Sequence, residues 1–293
     1  MIDAYLREKR ILVEQTLDQH LPAADTPPSV IHEAMRYAVL GGGKRVRPIL
    51  AIAAAEACGA DTNPLLPSFA ALELIHTYSL VHDDLPALDD DDLRRGRKTT
   101  HVVYGEAMGI LAGDALLTEA FAWLAKPVEG IDALRQLQAV GIVARAVDST
   151  GMIGGQVADL EATGKTPTRE ALEFIHRNKT GKLITASVLL GGTLGGASEA
   201  QLAALERYGV ALGLAFQIVD DLLDQEESSA TLGKTAGKDV AQGKLTYPAL
   251  MGVDAARAEL ASLLAAALNN ADMIAGPVNY LGDIARFICD RRS

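Results

Sequence analysis

The sequence predicts an all-α fold, one large helical bundle, and three observations lead there. The chain is 49% hydrophobic with only 4% aromatic residues. Its apolar content is therefore chiefly Ala, Leu, Ile and Val, a composition that favours helices and argues against disorder. Helical periodicity recurs along almost the whole length, while strand-like alternation is nearly absent. Several segments, above all 199–224, are apolar over much of their circumference, and a helix of that kind has to be sheathed by others. With 293 residues, no Pro/Ser-rich linker and no internal repeat, the reading is a single all-helical domain over 1–293.

Taken in order, segments of helical period run over 3–20, 29–40, 48–58, 66–84, 107–125, 131–150, 168–190, 199–224 and 254–268, with a last one ending near Asp290. Pro22, Pro27, Pro28, Pro64, Pro67, Pro86, Pro127 and Pro167 fall between these segments or at their ends, where proline is tolerated. Pro48 is placed at the first position of its helix.

Lys plus Arg number 27 against 38 for Asp plus Glu, a net charge of −11. Nucleic-acid binders and proteins held on anionic lipid carry a basic surplus or patch, so no nucleic-acid partner and no stable membrane anchoring are expected. The longest uncharged stretch, 183–198, is shorter than the ~20 residues of a membrane span. The N-terminus is amphipathic and mixed in charge, without the apolar core of a secretion signal. Cys58 and Cys289 read as free buried thiols in a reducing cytoplasm.

The first segment that carries chemistry is the run from His82 to Gly96, with six aspartates within ten positions at the negative end of the helix over 66–84. Such a run repels itself and has to be neutralised by something positive. Standing alone it would read as a solvated acidic loop. A second group, Phe216-Gln217 through Asp220-Asp221-Leu222-Leu223-Asp224, ends another apolar helix. Gln217, Asp220, Asp221 and Asp224 recur at i, i+3, i+4 and i+7, which places them on one helical face. If the two aspartate-bearing ends face each other, the cleft offers hard oxygen ligands and no imidazole or thiolate set. That selects Mg²⁺ or Mn²⁺, and an ion held by few carboxylates keeps positions open for substrate phosphates.

An anionic substrate needs local cations. The loop Gly41-Gly42-Gly43-Lys44-Arg45-Val46-Arg47-Pro48 brings glycines and cations to a helix start, although it lacks P-loop spacing and follows no strand. Arg94 and Arg95 follow the first acidic run. His76 lies two turns before Asp83 on the same helix. Lys179-Thr180-Gly181-Lys182 places a helix-weakening glycine beside a cation, and Gly233-Lys234, with Lys238 and Lys244, follows the second acidic group.

Together these residues resemble the trans-prenyltransferases, the isoprenyl diphosphate synthases, and most closely their bacterial farnesyl diphosphate branch. The likeness spans nearly the whole chain. It is carried by Gly42 to Pro48, Asp83-Asp84 through Asp89 with Arg94-Arg95-Gly96, Gln156, Lys179-Thr180, Phe216-Gln217 with Asp220 to Asp224, and Gly233-Lys234. The first aspartate motif has two extra residues, around Pro86-Ala87, which leaves Asp89 or Asp90 as the second ligand, with Asp89 favoured.

The resemblance implies a homodimeric isoprenoid-synthase bundle with central helices around a deep cavity, and three Mg²⁺ ions between the aspartate motifs. Asp83, Asp89 and Asp220 would ligate metal, with Asp84, Asp221 and Asp224 holding metal waters. Arg94, Lys179 and Lys234 would contact the allylic diphosphate. Lys44, Arg47, His76 and Arg95 would hold isopentenyl diphosphate. Thr180, Gln217 and the Lys179 carbonyl would face an allylic cation. The expected reaction is ionisation, condensation and elimination. Ser79 leaves space one turn below Asp83, whereas the bulky Tyr78 blocks a growing chain, so the expected product is farnesyl diphosphate (C15). The alternative is geranylgeranyl diphosphate (C20). A non-catalytic subunit would be expected to lose aspartates, and a terpene cyclase to lack the paired second motif.

Overall fold

The computed structural model describes residues 1–164, 168–230, 246–274 and 276–291. The fold is all-α, as the composition predicts. In chain order the helices are α1 (Ile2–His20), α2 (Ser29–Val39), α3 (Val46–Ala57), α4 (Leu66–Asp83), α5 (Thr100–Tyr104), α6 (Glu106–Ala125) and α7 (Ala133–Val147). They continue as α8 (Met152–Ala162), α9 (Arg169–Ile175), α10 (Lys182–Leu194), α11 (Glu199–Ala230), α12 (Tyr247–Met251), α13 (Val253–Asp272) and α14 (Leu281–Cys289). A two-stranded hairpin pairs β1 (Leu93–Arg94) with β2 (Arg97–Lys98), Leu93 opposite Lys98.

Several details differ from the sequence reading. The expected helix over 168–190 is α9 and α10 joined by a π-helical turn, His176–Gly181. The stretch after α7 contains a further helix, α8, which the periodicity did not bring out. Helix α3 begins at Val46, so Pro48 is its third residue rather than its first. This costs nothing, because the first four N–H groups of a helix have no intrahelical acceptor.

The chain divides into two compact units, residues 3–52 with 61–140, and residues 53–60 with 141–293. In the first, α4 runs against α6. Phe69, Leu72, Leu74 and Ile75 of α4 are fully buried, as are Ala112 and Leu116 of α6. Each large apolar side chain removed from water stabilises the fold by roughly 1.5–3 kcal/mol. In the second unit, α11 packs against α10 and α13, with Leu214, Ile218 and Leu222 meeting Leu172, Tyr247 and Ala256. The Tyr208 hydroxyl closes this core by donating to the Leu281 carbonyl at 2.8 Å. Among the described residues, Glu106–Ala125 and Glu199–Gln225 are long and apolar enough to cross a membrane, a property that core helices share.

Candidate active site

In the first unit the glycine-rich loop is tied down by Arg45. Its backbone is left-handed (φ 53) and its side chain is buried. The guanidinium donates to Glu73 Oε1 at 2.7 Å and to the Val39 carbonyl at 2.8 Å. That fixes the loop against α4 and leaves Lys44, exposed, and Arg47, half-buried, on either side.

Arg95 reaches the same loop from the hairpin turn and donates to the Gly42 carbonyl. Gly43 suits its place because its φ of 149° is a backbone conformation that side chains rarely adopt. His76 feels this gathering of charge. Burial, and then the charges of Arg47, Arg95, Arg94 and Arg45, hold its imidazole well below the ordinary histidine range, so it is neutral. Of the expected group, Arg47 and Arg95 lie close enough to act on His76, while Lys44 is exposed in the adjoining loop.

The acidic run folds back onto the end of α4. Asp89 N donates to the Asp83 carbonyl at 2.8 Å, Asp90 N to Leu85 O and Asp91 N to Asp84 O. The two additional residues are absorbed in this turn, which sets Asp89, half-buried, beside Asp83 and leaves Asp90 exposed with φ 51. Asp84 is buried and bound by Arg94 through Nε at 2.7 Å and Nη2 at 2.6 Å. Burial lifts the Asp84 carboxyl above its ordinary value although Arg94 opposes the shift. Arg94, expected on the diphosphate, is held by Asp84 here. Below Asp83, the Ser79 hydroxyl donates to the His76 carbonyl at 2.9 Å. Tyr78 is only 5% exposed, and burial pushes its phenol up to about 12.

In the second unit, Lys179 and Thr180 lie in the π-helical turn. Lys179 Nζ meets Asp159 Oδ2 of α8 at 2.8 Å. Helix α8 approaches so closely that a Cβ on Gly155 would fall 2.2 Å from the Lys179 nitrogen. Gln156, one residue on, has a buried side-chain oxygen with no hydrogen-bond partner among the described residues.

The polar quartet on α11 is divided between two environments. Asp221 is buried, accepts the Tyr247 N–H at 2.8 Å and stands 3.9 Å from His176 Nε2. Asp224 is exposed, while Gln217 and Asp220 are half-buried. Adjacent helical positions are rotated by about 100°, so Asp220 and Asp221 point to different neighbours. Arg291, from beyond α14, forms an ion pair with Asp220, donates to Phe216 O at 3.2 Å and covers the Phe216 ring at 4.3 Å. Among the described residues no three acidic, histidine or cysteine side chains converge as a preformed metal cluster. Lys234 lies outside the described residues.

Sequence reasoning missed Asp159 and left Arg291 without a role. Asp159 had a signal, since it lies on the face of α8 one turn from Gln156. Arg291 had none, being 71 residues from its carboxylate partner. Cys58 and Cys289 are free thiols, half-buried rather than fully buried.

Comparison with known proteins supports the family, with relatives whose products differ in chain length. It is 43% identical to the farnesyl diphosphate synthase of Geobacillus stearothermophilus over 97% of its own length and 96% of that protein's. It is 48% identical to a chloroplastic geranylfarnesyl diphosphate synthase of Leucosceptrum canum, covering 87% of this chain and 70% of that one. The solved geranylgeranyl pyrophosphate synthetase of Geoglobus acetivorans superimposes with a TM-score of 0.86, at 29% identity and 99% coverage of both chains. The Polyprenyl synthetase family model matches residues 28–280, and the chain therefore belongs to the polyprenyl synthetase family, a family of prenyltransferases.

Proposed function

We propose that this chain is a farnesyl diphosphate synthase, condensing isopentenyl diphosphate with dimethylallyl or geranyl diphosphate. Isopentenyl and allylic diphosphates are the substrates of this family, and divalent metal ions serve diphosphate binding in it. The donors fit Mg²⁺. They are carboxylates only, the fold-back turn sets Asp89 beside Asp83, and Asp220 already carries a cationic partner. Asp83, Asp89 and Asp220 would hold the ions, Asp84, Asp221 and Asp224 would orient them, and Asp89 is the preferred register over Asp90. Bound Mg²⁺ supplies electrostatic stabilisation of the diphosphate as the allylic C–O bond breaks.

The chain's own groups do the rest. Lys44, Arg47 and Arg95 bind the isopentenyl diphosphate, and neutral His76 donates one hydrogen bond to it without adding a charge. Lys179 holds the allylic diphosphate, joined by Arg94 and Lys234. The Thr180 hydroxyl, the Gln217 amide oxygen and the Lys179 carbonyl turn partial negative charge toward the allylic cation. A π-helical turn at Lys179 and Thr180 supports this assignment, because such turns concentrate at functional sites. Apolar helix walls exclude water. The isopentenyl C4 attacks, and the C2 proton leaves to the released diphosphate.

One observation carries the C15 product, the buried ring of Tyr78 next to Ser79 on α4. The C20 reading is supported by the geranylgeranyl pyrophosphate synthetase likeness. A single domain, a homodimer and a cytoplasmic setting complete the proposal. Incubation with labelled isopentenyl diphosphate, each allylic primer and Mg²⁺, followed by product sizing, tests it. C15 is expected as the main product, and a C20 main product overturns the farnesyl assignment.

A further inference from the structure

Tyr78 limits chain growth only if its ring stays in place, and the residues around it show what holds it. The imidazole of His82, one turn further along α4, meets Tyr78 edge to face, with ring centroids 5.8 Å apart and planes at 84°. His82 is itself fixed. Its Nε2 lies 3.0 Å from the Ile110 carbonyl of α6. A carbonyl only accepts, so Nε2 carries the proton and donates. The ring enters α6 over Gly113, where a Cβ would fall 2.1 Å from Nε2 and 2.4 Å from Cδ2. Any other residue at position 113 would displace the imidazole.

An imidazole seated in that notch and hydrogen-bonded to helix backbone is a rigid wedge between α6 and the Tyr78 ring. Without it, the phenol would lose contact atoms on one side and would turn into the vacated space. We propose that His82, seated over Gly113, is a positioning residue for product length that holds Tyr78 across the path of the growing chain. This rests on the farnesyl reading and deepens it, since the stop at C15 becomes a property of a braced pair and its glycine notch rather than of one bulky side chain.

The full-length enzyme, assayed with Mg²⁺, labelled isopentenyl diphosphate and geranyl diphosphate, tests the brace through the ratio of C20 to C15 product. That ratio does not depend on how much of a variant is folded. His82→Ala and Gly113→Ala are each expected to raise it at least about tenfold, as is Tyr78→Ala. The KM for isopentenyl diphosphate should stay unchanged in His82→Ala, which a distorted substrate site would not allow. The double variant His82→Ala/Tyr78→Ala should give the Tyr78→Ala ratio and no more, because both changes act through one ring. Should His82→Ala not fold, His82→Gln, which keeps the donor and removes the ring, is read in the same way. An unchanged ratio in the His82 variant beside a raised one in Tyr78→Ala overturns the brace and leaves the farnesyl reading intact. An unchanged ratio in Tyr78→Ala overturns both the brace and the length role of Tyr78. A wild-type enzyme making mainly C20 overturns the farnesyl reading itself.

Discussion

The Lys179 ammonium and the Asp159 carboxylate lie 2.8 Å apart, each partly shielded from water, and this pair aims the cation of the π-helical turn. Asp159→Asn keeps the shape and removes the charge. The expected outcome is a rise of about tenfold in the KM for the allylic diphosphate, the scale of one charge-assisted hydrogen bond, with a smaller change for isopentenyl diphosphate. Steady-state kinetics with each substrate varied in turn measures it. Equal changes for both substrates would show that Asp159 does not act through Lys179.

The buried pair of Arg45 and Glu73 anchors the glycine-rich loop, with side chains 1% and 3% exposed. Removing Glu73 leaves the buried guanidinium with only the more distant, more exposed carboxylate of Glu14, 3.9 Å from Arg45 Nε. Glu73→Ala is expected to lower unfolding stability by about 3–5 kcal/mol in urea titration. It should also weaken isopentenyl diphosphate, because Arg47 follows Arg45 by two residues. A stability loss below about 1 kcal/mol would mean that Arg45 finds other partners.

His176 makes stability depend on pH. Burial, reinforced by Lys179 and opposed by Asp159, lowers its pKa from 6.5 to about 4. Its Nδ1 is buried without a hydrogen-bond partner among the described residues. The folded value lies below the unfolded one, so the unfolded chain binds more protons between pH 6.5 and 4. The contribution is complete above pH 6.5 and is lost as pH falls toward 4, amounting to roughly 3 kcal/mol. Metal-free unfolding curves across that window should show a slope that is reduced in His176→Gln. An equal slope in the two proteins would contradict the assignment.

Much of this arrangement was legible in the sequence because helix existence follows from apolar period. The segments around Phe69 to Ile75 and Leu212 to Leu222 announce themselves as core. Helix α8 did not, since Gly154 and Gly155 depress helix propensity. The physical reason for Gly155 is the backbone of Lys179 lying against it, a tertiary contact that local pattern cannot contain. The hairpin was missed because strands of two residues show no alternation. Its signal was the Arg95-Gly96 turn, with φ of 55° and 75°, the backbone of a tight hairpin turn. The cationic setting of His76 came from the family resemblance and not from the local pattern of the chain. The split of Asp220 from Asp221 was not, because it depends on Tyr247 and Arg291, both distant in the chain.

Arg95 donates to Gly42 and is one of the cations surrounding His76. Arg95→Ala is expected to raise the KM for isopentenyl diphosphate by at least about tenfold while leaving the allylic KM near its original value. An unchanged isopentenyl KM would remove Arg95 from the pocket.

In the proposed reaction, aspartates from both acidic segments serve one metal-dependent ionisation. Turnover of Asp83→Ala and Asp220→Ala at saturating substrates and Mg²⁺ tests it most directly. Each is expected to fall by at least ~10²-fold, the scale of losing a preorganised electrostatic contact at the reacting diphosphate. Turnover close to wild type in either variant would contradict it.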